Sequence, residues 1–455
     1  MSARYNLSIL LLVLVTFSNM TSCKKFTDVG APKNALVTNQ VFSTDASANA
    51  AIAGIYYQLS NGSLGQGYTT LYTGLSADEA NKNNISTGEQ QLLTDGLTVD
   101  NTYSATLWSA PYAVLAQANA CLEGLAATDT STIPNKKQYV AEAKFIRAFC
   151  NFYLVNLFGN IPLVTTANWT STVNIARTTR DSVYNTILQD LGAALTDLPE
   201  SYPSGQPIRA TKYAATAMLA RVSLYLQRWT DAANYATQVI DGMNIPLPAP
   251  ENTFLIGSPE AIWQLEPVGG SVNPFETSQW YAFGFLSFFL TDQMAGAFET
   301  GDLRQAAWVG MTNSSGVNQY YPTKYKGSTY SQPAVEYYMV LRLAEQYLIR
   351  AEARARQNDV ADALADLDII RSRAGLSNLP AGLDKAACLL AVEQERRVEL
   401  FAEWGHRWLD LKRTGRAIAV LQPLKPKITT DALLYPVPAS EIQKNKNLLP
   451  QNAGY

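Results

Sequence analysis

The chain has 455 residues, 47% of them hydrophobic and 16% charged, enough apolar material for a large core and too much for wholesale disorder. With 35 Lys and Arg against 38 Asp and Glu, a formal charge of -3, it has no basic excess to neutralise phosphates, which argues against a nucleic-acid binder. The single histidine, His406, excludes a His-rich metal site and leaves any Ser-His or Cys-His pair dependent on one imidazole. No cofactor or metal is expected.

Residues 1–22 carry one charge, Arg4, followed by the apolar run Ile9 to Val15. A bilayer needs about 20 apolar residues, so this run is too short to span one and reads as a secretory signal. Met20-Thr21-Ser22-Cys23 places small residues directly before a cysteine, the pattern of a bacterial lipoprotein signal in which the Cys23 thiol is acylated. An acylated Cys23 would be the membrane attachment, since Phe283 to Leu290 is the next greasy stretch and is far too short. Cys121, Cys150 and Cys388 have no zinc-ligand spacing and read as small buried hydrophobes, with one disulfide among them left open.

Gln138 to Phe158 is predicted as a helix: Phe145, Ala148, Phe149, Phe152 and Tyr153 fall on one face, and Gly159 supplies the stop. Asp181 to Leu198 is a second, closed by Pro199. Two helical pairs follow, Thr211–Gln227 with Asp231–Ile240 and Val340–Gln357 with Val360–Ala374. Aligning Asp231-Ala232 with Asp362-Ala363 sets Ala220 opposite Ala351, where small residues let helices approach, as in tetratricopeptide repeats. Between the pairs the texture is irregular and rich in Pro, Gly, Ser and Asn. Residues 263–338 hold 16 aromatics in 76 positions, about 21% against 10% for the chain, which marks this insert as a ligand platform on a helical frame.

Four segments, in order, resemble the SusD/RagB family of outer-membrane nutrient-binding lipoproteins. They are Ala141-Glu142-Ala143-Lys144-Phe145-Ile146-Arg147-Ala148-Phe149 through Leu163-Val164; Arg342-Leu343-Ala344-Glu345-Gln346-Tyr347-Leu348-Ile349-Arg350-Ala351-Glu352-Ala353 with Arg371-Ser372-Arg373-Ala374-Gly375-Leu376; the run Glu395 to Arg413; and Leu434-Tyr435-Pro436-Val437-Pro438 with the terminal Gln451 to Tyr455. The resemblance implies a mainly α-helical protein of tetratricopeptide-like pairs with an irregular, aromatic-rich, ligand-facing insert. The expected division is a signal at 1–22, a helical half at 23–241, the insert at 242–336 and a second helical half at 337–455. The resemblance further implies a surface-exposed, non-enzymatic lipoprotein that binds glycan or peptide and delivers it to a SusC-like TonB-dependent transporter. Lys24-Lys25 depart from the acidic export tags common in such bacteria, which bears on surface display.

Within the run Glu395 to Arg413, the acids Glu395, Glu399 and Glu403 recur four apart on one helical face, and Asp410 follows. Two carboxylates could hydrolyse a glycosidic bond, but interleaving with Arg396, Arg397, Arg407 and Arg413 points to ion pairs, which lower carboxyl pKa values and make poor general acids. His406 is expected to be structural. Glu142, Glu345 and Glu352, with Arg147, Arg342 and Arg350 nearby, are likewise expected to pair within or between helices.

Sugar rings stack on aromatic faces while polar side chains take their hydroxyls. The ligand-binding candidates are Asp78 and Asn81 in the polar stretch 76–84, Tyr103 and Trp108 downstream, and Trp280, Tyr281, Trp308, Tyr320 and Tyr321 in the insert. Phe283, Phe285, Phe288 and Phe289 lack polar handles and read as core or as surface covered by a partner. The competing readings are a secreted helical glycosidase and a periplasmic repeat scaffold that binds only proteins.

Overall fold

A computed structural model describes residues 41–455, apart from 283, 284 and 315; the signal segment, Cys23, Lys24, Lys25 and Phe283 therefore lie outside the described residues. Its principal helices are α1 (Asp45–Asn61), α2 (Tyr68–Ser76), α3 (Thr102–Ala126), α4 (Lys136–Phe158), α5 (Arg180–Asp197), α6 (Lys212–Tyr225), α7 (Trp229–Met243), α8 (Leu343–Arg356), α9 (Val360–Arg373), α10 (Lys385–Glu399) and α11 (His406–Arg413). Local chemistry starts and stops them. Thr44 and Ser47 form a capping box at α1, and the Asn101, Thr179, Thr211 and Asp384 side chains accept backbone N–H groups at the starts of α3, α5, α6 and α10. Gly159, at φ 72°, ends α4 in a conformation open to glycine.

The helices stack in sequence, α3 on α4, α4 on α5, α5 on α6, α6 on α7, α7 on α8 and α8 on α9. The protein is thus mainly α-helical with tetratricopeptide-like pairs. The repeat register is visible in the backbone: a shift of 131 residues carries Lys212 onto Leu343 and Trp229 onto Val360, the starts of both helices in each pair. The same shift superposes the left-handed Gln227 (φ 58°) on Asn358 (φ 68°), and Arg228 (φ -84°, ψ 73°) on Asp359 (φ -90°, ψ 71°). Ala220 and Ala351, and Ala232 and Ala363, are all fully buried, as close helix approach requires.

Two expectations are corrected. Residues 340–342 are not helical but end a β-strand, because that segment pairs with another strand before α8 begins. The helix α4 buries more than one face: Phe145, Ile146, Ala148, Phe149, Cys150, Phe152 and Leu154 are all sealed, since α3, α5 and the strand-borne Trp263 surround it.

Between α7 and α8 the chain leaves the helical stack and forms most of the strands. Strands β1 (Ala80–Lys82), β3 (Phe288–Leu290), β4 (Val309–Ser314) and β5 (Val317–Pro322) make an antiparallel sheet in the order β1-β3-β5-β4. Strand β2 (Ala261–Leu265) pairs with β6 (Tyr338–Arg342) and returns the chain to the stack. Trp263 on β2 anchors this excursion, edge-on to Phe145 and Phe149 at 4.9 and 5.1 Å. Cys121, Cys150 and Cys388 are buried free thiols, with burial pushing that of Cys121 up to about 11.

The charged run forms a buried ionic hub. Glu399 receives Arg342 at 2.5 Å, Arg304 at 2.9 Å and Arg373; Glu403 receives Lys324 at 2.5 Å and Arg342 at 2.8 Å; Glu395 receives Arg304 at 2.5 Å. The nearby arginines named from sequence are not the partners of the other helical acids. Glu142 pairs with Arg209, Glu345 with Arg221 and Glu352 with Arg413, while Arg147 and Arg350 take Asp190 and Asp366. Partners from elsewhere in the chain win because a buried carboxylate needs a bidentate fork, which a neighbour on its own helix rarely offers. His406 is buried, and desolvation drops its imidazole to about 4, so it is neutral at neutral pH.

A buried ion pair is weak evidence of net stability, but breaking one strands its partner charges. Glu399→Gln should therefore cost about 3–5 kcal/mol, read as a lower urea midpoint at unchanged slope; a loss below about 1 kcal/mol would show that the hub carries little stability.

The pH profile has two limbs. Ion pairing holds Glu399, Glu403 and Asp410 below the ordinary carboxylate range, so their contribution is complete above that range and lost as pH falls through their folded values. Burial lifts Glu79 to about 8 and Glu276 and Asp95 to about 7; these are protonated in the fold, so stability falls as pH rises from the ordinary range to those values, His406 offsetting part of it. The thermal midpoint should peak at roughly pH 5 and decline toward about pH 3 and toward about pH 7, above which the buried Lys324 and Lys412, lowered to about 8 and about 7, oppose the loss. A midpoint that climbs steadily from pH 5 to 7 (roughly) would contradict the buried protonated acids.

Candidate functional site

The predicted aromatics divide sharply by burial. Trp108 is sealed between Phe158 (5.0 Å, edge-on) and Tyr112, and Trp280 donates its indole N–H to Glu276 at 3.2 Å while lying edge-on to Phe288. Trp308 donates to the Pro250 carbonyl at 2.7 Å, and its ring face lies 4.7 Å from the buried Lys324 ammonium. All three tryptophans are buried, and Trp280 and Trp308 also spend their indole N–H groups internally, so the expectation that they meet ligand is corrected to core packing.

Asp78 is also buried, locked by Arg407 at 2.7 Å and Arg397 at 2.9 Å, and its neighbour Glu79 is buried too. The stretch 76–84 is thus not an exposed polar loop: it enters β1, where Asn81 pairs with Phe289. Asn81 and Asp78 line a hollow with Asp95, Thr291 and Lys425. Tyr103 is half-buried, its hydroxyl 2.9 Å from Ser86 Oγ and its ring edge-on to Tyr72 at 4.9 Å. Tyr320 packs on the core, because alternate residues of β5 face opposite sides of the sheet.

The alternation that turns Tyr320 inward turns Tyr321 outward. There it stacks on Tyr281 with ring centroids 5.0 Å apart and planes 12° from parallel. Gly310, opposite Tyr321 in the ladder, makes room for this ring; a Cβ there would lie 2.6 Å from Tyr321 Cζ. The pair lines a cleft of about 440 Å³ with Tyr330, which is 59% exposed, and with Thr277, Ser278, Lys326 and Ser331. This is an apolar platform rimmed by hydroxyl and ammonium groups, within the size range of small-ligand sites.

The cleft is held in shape from below. Glu336 accepts the backbone N–H groups of Lys326 and Gly327, both at 2.8 Å, and Asn273 accepts from Val335 N at 2.8 Å while donating to the Ser328 carbonyl at 2.9 Å. These buried side chains pin the loop that carries Tyr330, so little ordering remains for a ligand to pay. Tyr330, Gly310, Asn273 and Glu336 were not singled out by sequence; the signal available was only the Pro-, Gly- and Ser-rich texture of the segment.

Phe288 is buried, as expected, but Phe285 is 78% exposed and lines a separate hollow with Asn83, Asn84 and Gln319. Its short strand, Phe285–Leu286, pairs with Tyr281–Ala282 in a two-stranded sheet.

Comparison with known proteins agrees with this architecture. Residues 25–224 match the SusD-like family described as starch-binding and associating with the outer membrane, and residues 292–455 match the SusD family. A SusD-like protein of Formosa agariphila is 25% identical over 98% of both chains. A SusD superfamily structure from Bacteroides vulgatus superposes with a TM-score of 0.78 at 20% identity, covering 91% of this chain and all of that one. A laminarin-binding SusD-like protein (TM-score 0.74) and a surface glycan-binding protein from Bacteroides fluxus (TM-score 0.75) each share 23% identity over 91% of this chain and 100% of their own. With both matched regions in order around the same helical stack and strand-bearing excursion, the chain belongs to the SusD/RagB family.

Proposed function

We propose that this protein is a non-catalytic receptor, tethered to the outer membrane through acylated Cys23, that holds an oligosaccharide and passes it to a SusC-like TonB-dependent transporter. The observation that carries the binding reading is the parallel Tyr281–Tyr321 stack in a polar-rimmed, pre-ordered cleft. Such a surface takes the apolar face of a sugar ring while neighbouring hydroxyls and Lys326 meet its oxygens. The glycan-binding neighbours and the family description favour a glycan over a peptide. On this reading residues 23–241 and 337–455 form the frame and 242–336 present the ligand.

Catalysis by the charged run is disfavoured on chemical grounds. Glu399, Glu403 and Asp410 are held ionised by arginines and cannot donate a proton as general acids near neutrality. Glu395 differs: burial outweighs Arg304 and raises it, but it is sealed in the hub away from the tyrosine cleft.

Tyr281→Ala and Tyr321→Ala should each weaken binding of laminari-oligosaccharides or other neutral glycans by about 1 kcal/mol or more, roughly five- to tenfold in Kd by calorimetry. Wild-type affinity in both folded variants would remove the cleft from the mechanism. Cys23→Ala should move the protein from the membrane to the soluble fraction, while the wild-type protein should co-purify from native membranes with a TonB-dependent barrel. Membrane retention of the variant, or reproducible absence of a barrel, would defeat the tether or the partnership respectively.

A further inference from the structure

A second cleft, of about 340 Å³, lies against α10 and α11 and shares no lining residue with the tyrosine cleft. Six guanidinium groups line it, those of Arg356, Arg396, Arg397, Arg407, Arg413 and Arg416. Four carboxylates pair with them. Asp78 takes Arg397 and Arg407 at 2.9 and 2.7 Å, and Asp410 takes Arg396 and Arg413 at 2.7 Å each. Glu352 takes Arg413 at 2.6 Å and reaches Arg356 at 3.7 Å, and Glu393 takes Arg416 at 3.0 Å and reaches Arg407 at 3.6 Å. Six cations against four anions leave an excess of two positive charges. Glu79, which also lines the cleft, does not offset this, because burial and the neighbouring Asp78 push it up to about 8.

The donors are also incompletely used. The Arg396 side chain is only 3% exposed, yet its Nη1 has no hydrogen-bond partner, and the Nε groups of Arg356 and Arg397 are likewise buried and unpartnered. A guanidinium N–H buried without an acceptor is costly, and its fixed fork suits an oxyanion. The rim is open and partly apolar: Leu390 is 55% exposed and the Arg416 side chain 43%. An anion at this rim meets excess positive charge and the exposed Arg416 guanidinium beside a leucine surface that a sugar ring or methyl group can cover, with the unpartnered N–H groups sealed in the wall behind it.

We propose that this cleft is a binding site for an oxyanion, a carboxylate or sulfate group, separate from the tyrosine cleft. The oxyanion can be borne by an acidic sugar or be a free inorganic ion. Calorimetric titration of the detergent-solubilised full chain with methyl glucuronide, with sodium sulfate at constant ionic strength, and with methyl glucoside tests this. Saturable binding of glucuronide or sulfate is expected, with none by the neutral glucoside. Arg416→Gln and Leu390→Glu, both at the exposed rim and checked for folding by circular dichroism, should each raise Kd at least tenfold (about 1.4 kcal/mol). Binding of both anions assigns an acidic sugar; binding of sulfate alone assigns the inorganic ion. Tyr281→Ala should leave the anion response intact, so failure of the tyrosine cleft and failure of this one are separable. Absence of saturable binding by either anion, or undiminished binding in both rim variants, overturns the proposal.

Discussion

Glu399 and Glu403 form the junction between the helical stack and the strand-bearing excursion. Arg342 stands at the start of α8 and Arg373 at the end of α9, whereas Arg304 and Lys324 come from the excursion itself. One pair of acids on and just beyond α10 therefore gathers basic groups from parts of the chain far apart in sequence. Charge pairing in a sealed setting demands good geometry, because each group has given up its hydration. This fixes the angle at which the excursion leaves the stack, which an apolar contact alone would leave looser.

The neighbouring aromatics reinforce the junction. Lys324 sits 4.2 Å from the Phe401 ring centroid and 4.7 Å from that of Trp308, so its charge meets ring faces as well as Glu403. Trp404 adopts a left-handed backbone (φ 47°), donates its indole N–H to the Met339 carbonyl at 2.7 Å and packs on Phe149 and Tyr338. Such a backbone is strained for a tryptophan and persists because its surroundings over-determine it. The next residue, Gly405 (φ 74°), lets α2 approach, since a Cβ there would lie 2.4 Å from Thr73 Oγ1. The motif that carries the family resemblance is thus foremost a structural clamp.

That clamp has a functional consequence for the rest of the fold. The tyrosine platform rests on a sheet and a loop, elements with little stability of their own. Their shape is set by buried polar side chains, Asn273 and Glu336, and their position by the ionic hub. A receptor whose ring surface is pre-arranged loses less affinity to ordering than one that must assemble around its ligand. The same economy of charge leaves the arginine cleft against α10 and α11 with more guanidinium than carboxylate.

The sequence by itself determined the helical pairs, their register and the family. Apolar spacing and capping are local properties, so α4, α5 and the pairs around Ala220 and Ala351 were legible to within a few residues. It also marked the aromatic-rich stretch and placed Tyr281 and Tyr321 among its candidates. Only the tertiary structure decided which aromatics were surface and which core, and which arginine met which acid. Trp280 and Tyr281 are adjacent, as are Tyr320 and Tyr321, yet within each pair one ring packs inward and the other lines the cleft. That division depends on strand pairing and on neighbours brought from elsewhere in the chain. Burial and charge pairing are properties of the packed whole, and no local window of residues contains them.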